Sequence, residues 1–311
     1  MLLLVLIVVK KDSSLKRGKI YAQTKSFKCW NGGCFKYRPL NFLLSDFGND
    51  SMSFTEKESM MVQHVVQNTN NKKSLAEFYN KDVLFDKNEI IRLLKAKPIK
   101  SSIKGLKYLE SRKANKVGLD DLAYNDYFDN LIFLNMFEDK VIGVQIRLSK
   151  PMKNGGRFMS YDYEDIITKL YKKGEGEYDV NLAKSMKKVS LTYNILNINF
   201  QQKVNVFEST LDSKYFNNSI ALWGANNMLE IPNGYYFMDN DEAGRVEAMK
   251  LLNKNLNVFL WRKFFKDYPE YEYHNRQKTK DINDIFRINK MFNVNLLYNY
   301  MGNHKLDSIM L

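Results

Sequence analysis

Hydrophobic and polar positions change rhythm several times along the chain. Residues 19–43 read as short strands around a turn: Lys19 to Gln23, Ser26 to Cys29, a turn at Asn31-Gly-Gly33, and an apolar run from Leu40 to Leu44. Residues 51–97 are polar and helix-prone, and Ser74-Leu-Ala-Glu77 fits a capping box. Lys97-Pro98 breaks that stretch and marks an expected boundary. Residues 103–113 predict a basic amphipathic helix with Ile103, Leu106 and Leu109 on one side. Strands follow at Asn130 to Phe137 and Lys140 to Leu148, with Glu138-Asp139 as their turn.

From residue 204 strand and helix alternate. The runs Val204 to Phe207, Ser219 to Trp223, Gly234 to Met238 and Asn257 to Trp261 predict strands, and 242–254 predicts a helix. This alternation predicts an α/β fold with a parallel sheet and covering helices. In such a sheet the site forms beyond the carboxyl ends of the strands. There Val204 to Phe207 runs into Glu208, and Tyr235 to Met238 runs into Asp239-Asn-Asp241. A third acidic point is Asp281-Ile-Asn-Asp284. Carboxylates gathered at strand tips repel one another unless a divalent cation compensates them, and oxygen-only ligands suit magnesium. That combination points to metal-assisted phosphoryl or nucleotidyl transfer. A calcium loop at 239–250 is excluded, because Lys250 stands where a bidentate Glu belongs.

Charge sharpens this picture. The 311 residues carry 48 basic and 35 acidic side chains, a net +13. Residues 10–38 hold nine basic against one acidic, 95–116 eight against one, and 140–173 eight against three. Residues 204–285 reverse the sign, with ten against twelve, so the whole excess precedes residue 204. A basic track leading to a carboxylate site fits a polyanionic partner. The two cysteines cannot staple a chain this long, which predicts a reducing, cytoplasmic setting. The opening Met1 to Val9 is too short to span a bilayer and lacks a signal-peptide pattern. It is expected as a core strand or the product of a displaced gene start, and no membrane association is expected.

The segments Val206-Phe-Glu208-Ser-Thr-Leu-Asp212, Phe237-Met-Asp239-Asn-Asp241-Glu-Ala-Gly244-Arg245 and Lys280-Asp281-Ile-Asn-Asp284 resemble the TOPRIM domain of bacterial and phage DNA primases. Ser209 replaces that family's usual glycine. Upstream, Gly105 to Arg112 resembles the first helix of the primase core. Val141 to Arg147 and Gly156-Arg157-Phe-Met-Ser160 resemble its basic subdomain. The resemblance implies a primase that makes RNA primers on single-stranded DNA from ribonucleoside triphosphates, using Mg2+ or Mn2+. It implies Glu208, Asp239 and Asp241 as catalytic residues and metal ligands, with Asp281 supporting a further ion. Arg147, Arg157, Arg245 and Lys280 would bind template or nucleotide phosphates. Without a G-x-x-x-x-G-K-[ST] motif, a replicative helicase would be a separate chain.

Residues 19–47 resemble the second half of the primase zinc ribbon. Its Cys29 and Cys34 are joined by no further Cys or His upstream, so the zinc site is expected to be incomplete. The implied organisation is a truncated ribbon over 1–50, a helical linker over 51–98 and a basic α+β subdomain over 99–203. A TOPRIM parallel sheet over 204–290 and a tail over 291–311 follow. Two other functions remain open at this point: TOPRIM-type nuclease or topoisomerase chemistry, and a degenerate copy that only binds nucleic acid.

Overall fold

The computed structural model describes residues 81–311, apart from 115–116, 154–155, 175, 224–227 and 232, together with the backbone of five short strands between residues 10 and 39. The chain forms two units, Met1–His64 and Val65–Leu311. In the first, Gly18–Tyr21, Ser26–Cys29 and Tyr37–Pro39 make a three-stranded antiparallel sheet, and Lys10–Lys11 pairs with Ser14–Leu15. The strand expected at 26–29 is therefore present, and the one expected at 19–23 is present over Gly18–Tyr21. The run Met1 to Val9, the Asn31-Gly-Gly33 turn, Cys34 and the capping box at Ser74 lie outside the described residues.

Among the described residues the second unit is a mixed α/β structure built on two six-stranded sheets, with a small antiparallel hairpin pairing Tyr273–His274 and Gln277–Lys278. In the first sheet the strands are β1 (Phe85–Asp86), β2 (Lys97–Pro98), β3 (Leu122–Asn125), β4 (Asn130–Phe137), β5 (Lys140–Arg147) and β6 (Phe158–Tyr161). Their order is β6-β5-β4-β3-β2, with β1 also paired to β5, and every pairing is antiparallel. The β4–β5 turn falls at Glu138-Asp139 as expected, with Glu138 in the left-handed region at φ 53°.

Both faces of this sheet are covered, which is why β4 and β5 read as nearly continuous apolar runs. One face carries Ile132, Leu134, Val144 and Ile146 against Ile90 and Ile91 of helix α1 (Lys87–Leu93). The expected linker therefore does not extend to residue 98. Residues 85–98 supply two strands and a core helix, and Pro98 sits on an edge strand, where its missing N–H is tolerated. The other face packs Leu122, Leu131 and Phe133 against Leu211, Ala221 and Trp223 of the second half.

Helix α2 (Ile103–Ser111) starts at Ser102, whose hydroxyl accepts from the Gly105 N–H at 2.9 Å. Its buried side differs from the expected one. Leu109 is buried, but Ile103 is 74% exposed and Leu106 39%. Gly105 explains the rotation, because a Cβ there would lie 2.9 Å from Ile99 and 3.0 Å from Tyr124. The helix approaches through its glycine rather than through Ile103.

In the second sheet the strands are β7 (Thr192–Tyr193), β8 (Val204–Phe207), β9 (Ser219–Leu222), β10 (Gly234–Phe237), β11 (Asn257–Phe259) and β12 (Met301–Gly302). Their order is β7-β9-β8-β10-β11-β12. The four central strands are parallel, as the alternation predicted, and β7 and β12 close the edges antiparallel. Strands β8 and β9 are buried at every position, as a covered parallel sheet requires.

Stacked rings of Phe207 and Phe237, 4.9 Å apart, continue to Phe259 at 5.5 Å and form an aromatic floor across β8, β10 and β11. The expected tail is part of this body, since Leu297 and Tyr300 are buried in the same core as Phe264 of helix α6 (Trp261–Asp267), and β12 pairs with β11.

Helix α3 (Val180–Ser190) joins the two halves. Asn135 of β4 is fully buried and donates to the carbonyls of Val189, Ser190 and Thr192 at 2.9–3.0 Å. Opposite it, a Cβ on Gly143 would lie 2.0 Å from the Ser190 carbonyl oxygen. Gly143→Ala should therefore destabilise the protein by about 1–3 kcal/mol, read as a fall in Tm, because backbone cannot yield as a side chain can.

Candidate active site

The carboxyl ends of β8 and β10 lie side by side, with Phe207 in register with Phe237. Just beyond them, Glu208 Oε1 accepts the Asp239 N–H at 3.0 Å. Asp239 to Asp241 form the short loop into helix α5 (Glu242–Leu252). Asp241 caps that helix by accepting from the Gly244 N–H at 2.9 Å. A Cβ on Gly244 would lie 2.1 Å from the Asp239 carbonyl oxygen, so only glycine lets α5 start against this loop.

A second loop is fastened across the first. The Asn240 N–H donates to the Lys280 carbonyl at 2.7 Å, and its side-chain amide donates to the Thr279 carbonyl at 2.8 Å. This brings the Lys280 ammonium to 3.3 Å from Asp239 Oδ2 and 2.9 Å from Asp241 Oδ2. Asp281 then caps helix α7 (Ile282–Ile288) through the Asp284 N–H at 2.8 Å, and its other oxygen lies 3.7 Å from Arg112.

The electrostatics are uneven across this group. Burial, and then the neighbouring Glu208 and Asp281, push the Asp239 carboxyl up to about 7. Burial also raises Glu208, opposed by its hydrogen bond from Asp239 and helped by Asp241. Asp241 goes the other way. Burial opposes its charge, but the Gly244 N–H and the Lys280 ammonium outweigh it and hold the carboxyl below the usual range. Burial likewise disfavours the charge on Lys280, and its bonds to Asp241 and Asp239 raise it regardless. The centre thus gathers several carboxylates around the Lys280 ammonium, with Arg112 beside Asp281 and the charge of Arg245 acting on Asp241.

Among the described residues, no three His, Cys, Asp or Glu side chains lie close enough together to hold a metal ion. The donor chemistry fits magnesium in a leaner form. Asp239 and Asp241 already share one cation, the Lys280 ammonium, and magnesium commonly takes one or two carboxylates completed by water and phosphate. Asp281 is occupied by its helix cap and by Arg112, further from that pair's shared cation.

The expected phosphate-binding residues fall in two places. Arg245 is half-buried on the first turn of α5, and its charge helps keep Asp241 ionised. Arg147 ends β5, its guanidinium 5.3 Å from the Phe158 ring centre. Arg157 is exposed on the loop before β6, its carbonyl accepting from the Leu148 N–H at 2.8 Å. A polar contact ties β5 to the carboxylate end. The Thr210 hydroxyl, on helix α4 (Thr210–Ser213), donates to Gln145 Oε1 at 3.4 Å and accepts from the Trp223 indole at 2.7 Å. Alternation puts Arg147 on the same face as Gln145, about 7 Å further along the strand.

Other residues of the site lie within the segments quoted from the sequence, but no local pattern assigns them partners. Asp212 is wholly buried and accepts from the Asn283 N–H at 2.6 Å. The Asn283 side-chain amide donates to the Arg112 carbonyl at 2.7 Å and to the Tyr215 hydroxyl at 2.6 Å. This network ties α2, α4 and α7 together behind the carboxylates. Asp212, Asn240 and Asn283 all fall inside the quoted acidic segments, and that placement is the signal that could have found them.

Comparison with protein-family models gives no match, and comparison with curated proteins gives none either. No helix among the described residues is long and apolar enough to cross a membrane.

Proposed function

We propose that this chain is a metal-dependent nucleotidyl-transfer enzyme whose parallel sheet is of the TOPRIM type. The observation that carries the reading is the gathering of Glu208, Asp239 and Asp241 at the tips of two adjacent parallel strands, with Lys280 brought onto the two aspartates by a neighbouring loop. The basic antiparallel sheet beside it narrows the reading to a DNA primase, which joins ribonucleotides on a single-stranded DNA template.

In this reading Asp239 and Asp241 hold the cation, and Lys280 exchanges a carboxylate for a nucleotide phosphate. Magnesium held there would supply charge neutralisation at the transferring phosphoryl group. Glu208, its carboxyl raised by burial, is suited to accept a proton from the attacking hydroxyl. Arg147, Arg157 and Arg245 supply guanidinium groups for phosphates of template or nucleotide. Asp281 acts by placing Lys280, since it anchors the loop at the start of α7.

The test uses purified full chain with single-stranded DNA, labelled ribonucleotides and magnesium. Short RNA products that disappear with EDTA are expected. Cleavage of DNA without nucleotides, and no RNA, would move the assignment to nuclease chemistry.

A further inference from the structure

We propose that Tyr127 and Phe128 form a base-stacking platform for single-stranded nucleic acid, a role that rests on the polymerase reading above. Both rings stand in solvent at the β3–β4 turn, Tyr127 86% and Phe128 56% exposed, edge to face with centres 4.7 Å apart. Large rings left open this way need a reason, because neither belongs to the core clusters formed among the described residues.

The turn that presents them is held from several sides. Buried Asn125 accepts from both the Tyr127 and the Phe128 N–H at 3.0 Å while donating to the Leu94 carbonyl at 3.1 Å. The Phe128 carbonyl accepts from the Ser149 hydroxyl at 2.9 Å. Asp126 is bound by Ser102 and Lys97, and Lys104 reaches both the Asp126 carbonyl, at 2.9 Å, and Asp129, at 3.1 Å. The rings are therefore preorganised, and little freedom is left to lose when a ligand stacks on them.

Their surroundings specify the ligand's charge. The same end of the sheet carries Arg147 over the 41% exposed ring of Phe158, since Leu131, Arg147 and Phe158 lie in register across β4, β5 and β6. Lys150, Lys153 and Arg157 are exposed on the adjoining loop. Exposed rings among cations are what a single strand needs, with bases on the rings and phosphates on the lysines and arginines. A duplex hides its base faces, and an apolar protein partner has no use for this density of positive charge.

The experiment compares two fluorescent oligonucleotides of equal length and phosphate number, oligo-dT and a fully abasic strand, by anisotropy. The full chain is tested alongside the double variant Tyr127→Ser, Phe128→Ser. Because both rings are exposed, the variant should keep the wild-type Tm. The expected result is about a tenfold or greater loss of affinity for oligo-dT, an unchanged salt dependence, and no change for the abasic strand. Unchanged oligo-dT binding, or equal loss on both strands, overturns the platform while leaving the polymerase reading in place. Wild-type protein that binds neither strand overturns both. A wild-type dimer in sedimentation that the variant abolishes, with oligo-dT binding unchanged, reassigns the rings to contact between copies and overturns the proposal.

Discussion

Asp239→Asn should abolish RNA synthesis and at the same time stabilise the metal-free protein near neutral pH. The two effects share a cause. Burial beside Glu208 and Asp281 raises the Asp239 carboxyl from 3.8 to about 7. Between those values the unfolded chain has released a proton that the folded chain retains. Folding stability therefore falls as pH rises from about 4 to about 7, and levels off above that. The full effect has a ceiling of about 4 kcal/mol, at 1.36 kcal/mol per pKa unit.

Asparagine keeps the shape and removes this loss, so in EDTA the variant's Tm should exceed the wild type's at pH 8 and converge with it near pH 4. Activity should fall about 10²–10³-fold or more, because the charge that holds the cation is gone. Magnesium should raise the Tm of the wild type at pH 8 and leave the variant unmoved. A variant less stable than wild type at pH 8 in EDTA would mean that Asp239 is not under electrostatic strain.

Asp212 should respond differently to Ala and to Asn. Its carboxyl is driven well above the usual range by burial first, then by Asp281 and Asp239, so its environment favours the uncharged form. Asparagine can still accept the Asn283 N–H, and Asp212→Asn should stay within about 1 kcal/mol of wild type. Alanine leaves that N–H unsatisfied in a dry interior and opens a small cavity. Asp212→Ala should cost about 3 kcal/mol, measured by urea unfolding. It should also lower activity, because Asn283 follows Asp281 at the start of α7 and Lys280 precedes it. Equal damage from Asn and Ala would show that the accepted hydrogen bond from Asn283 is not what Asp212 contributes.

What was legible in the sequence follows from range. The strands at 130–137, 140–147, 204–207 and 234–237 announce themselves because short apolar runs end in turn residues or carboxylates, and those are local patterns. The parallel order followed from the same alternation. Glu208, Asp239 and Asp241 stand out because they follow predicted strands directly, and the structure places them together at the strand ends.

The rest depends on contacts between distant residues. Ile103 and Leu106 have helical spacing with Leu109, yet Gly105 turns the helix away from them. Asn283 meets the Arg112 carbonyl across 171 residues of sequence, which no local pattern encodes. Lys280 was foreseen as a phosphate contact, but its position between Asp239 and Asp241 depends on Asn240 fastening one loop to another. Residues 291–311 looked like a tail because their turns are short, and β12 acquires its meaning only beside β11.

The most direct measurement is ribonucleotide incorporation on a single-stranded DNA template, run in parallel with wild type and Asp239→Asn at pH 8 in magnesium. The account predicts short RNA chains from the wild type, sensitive to ribonuclease and absent with EDTA, and none from the folded variant. RNA made equally well by Asp239→Asn would contradict it, as would a folded, template-binding wild type that makes none.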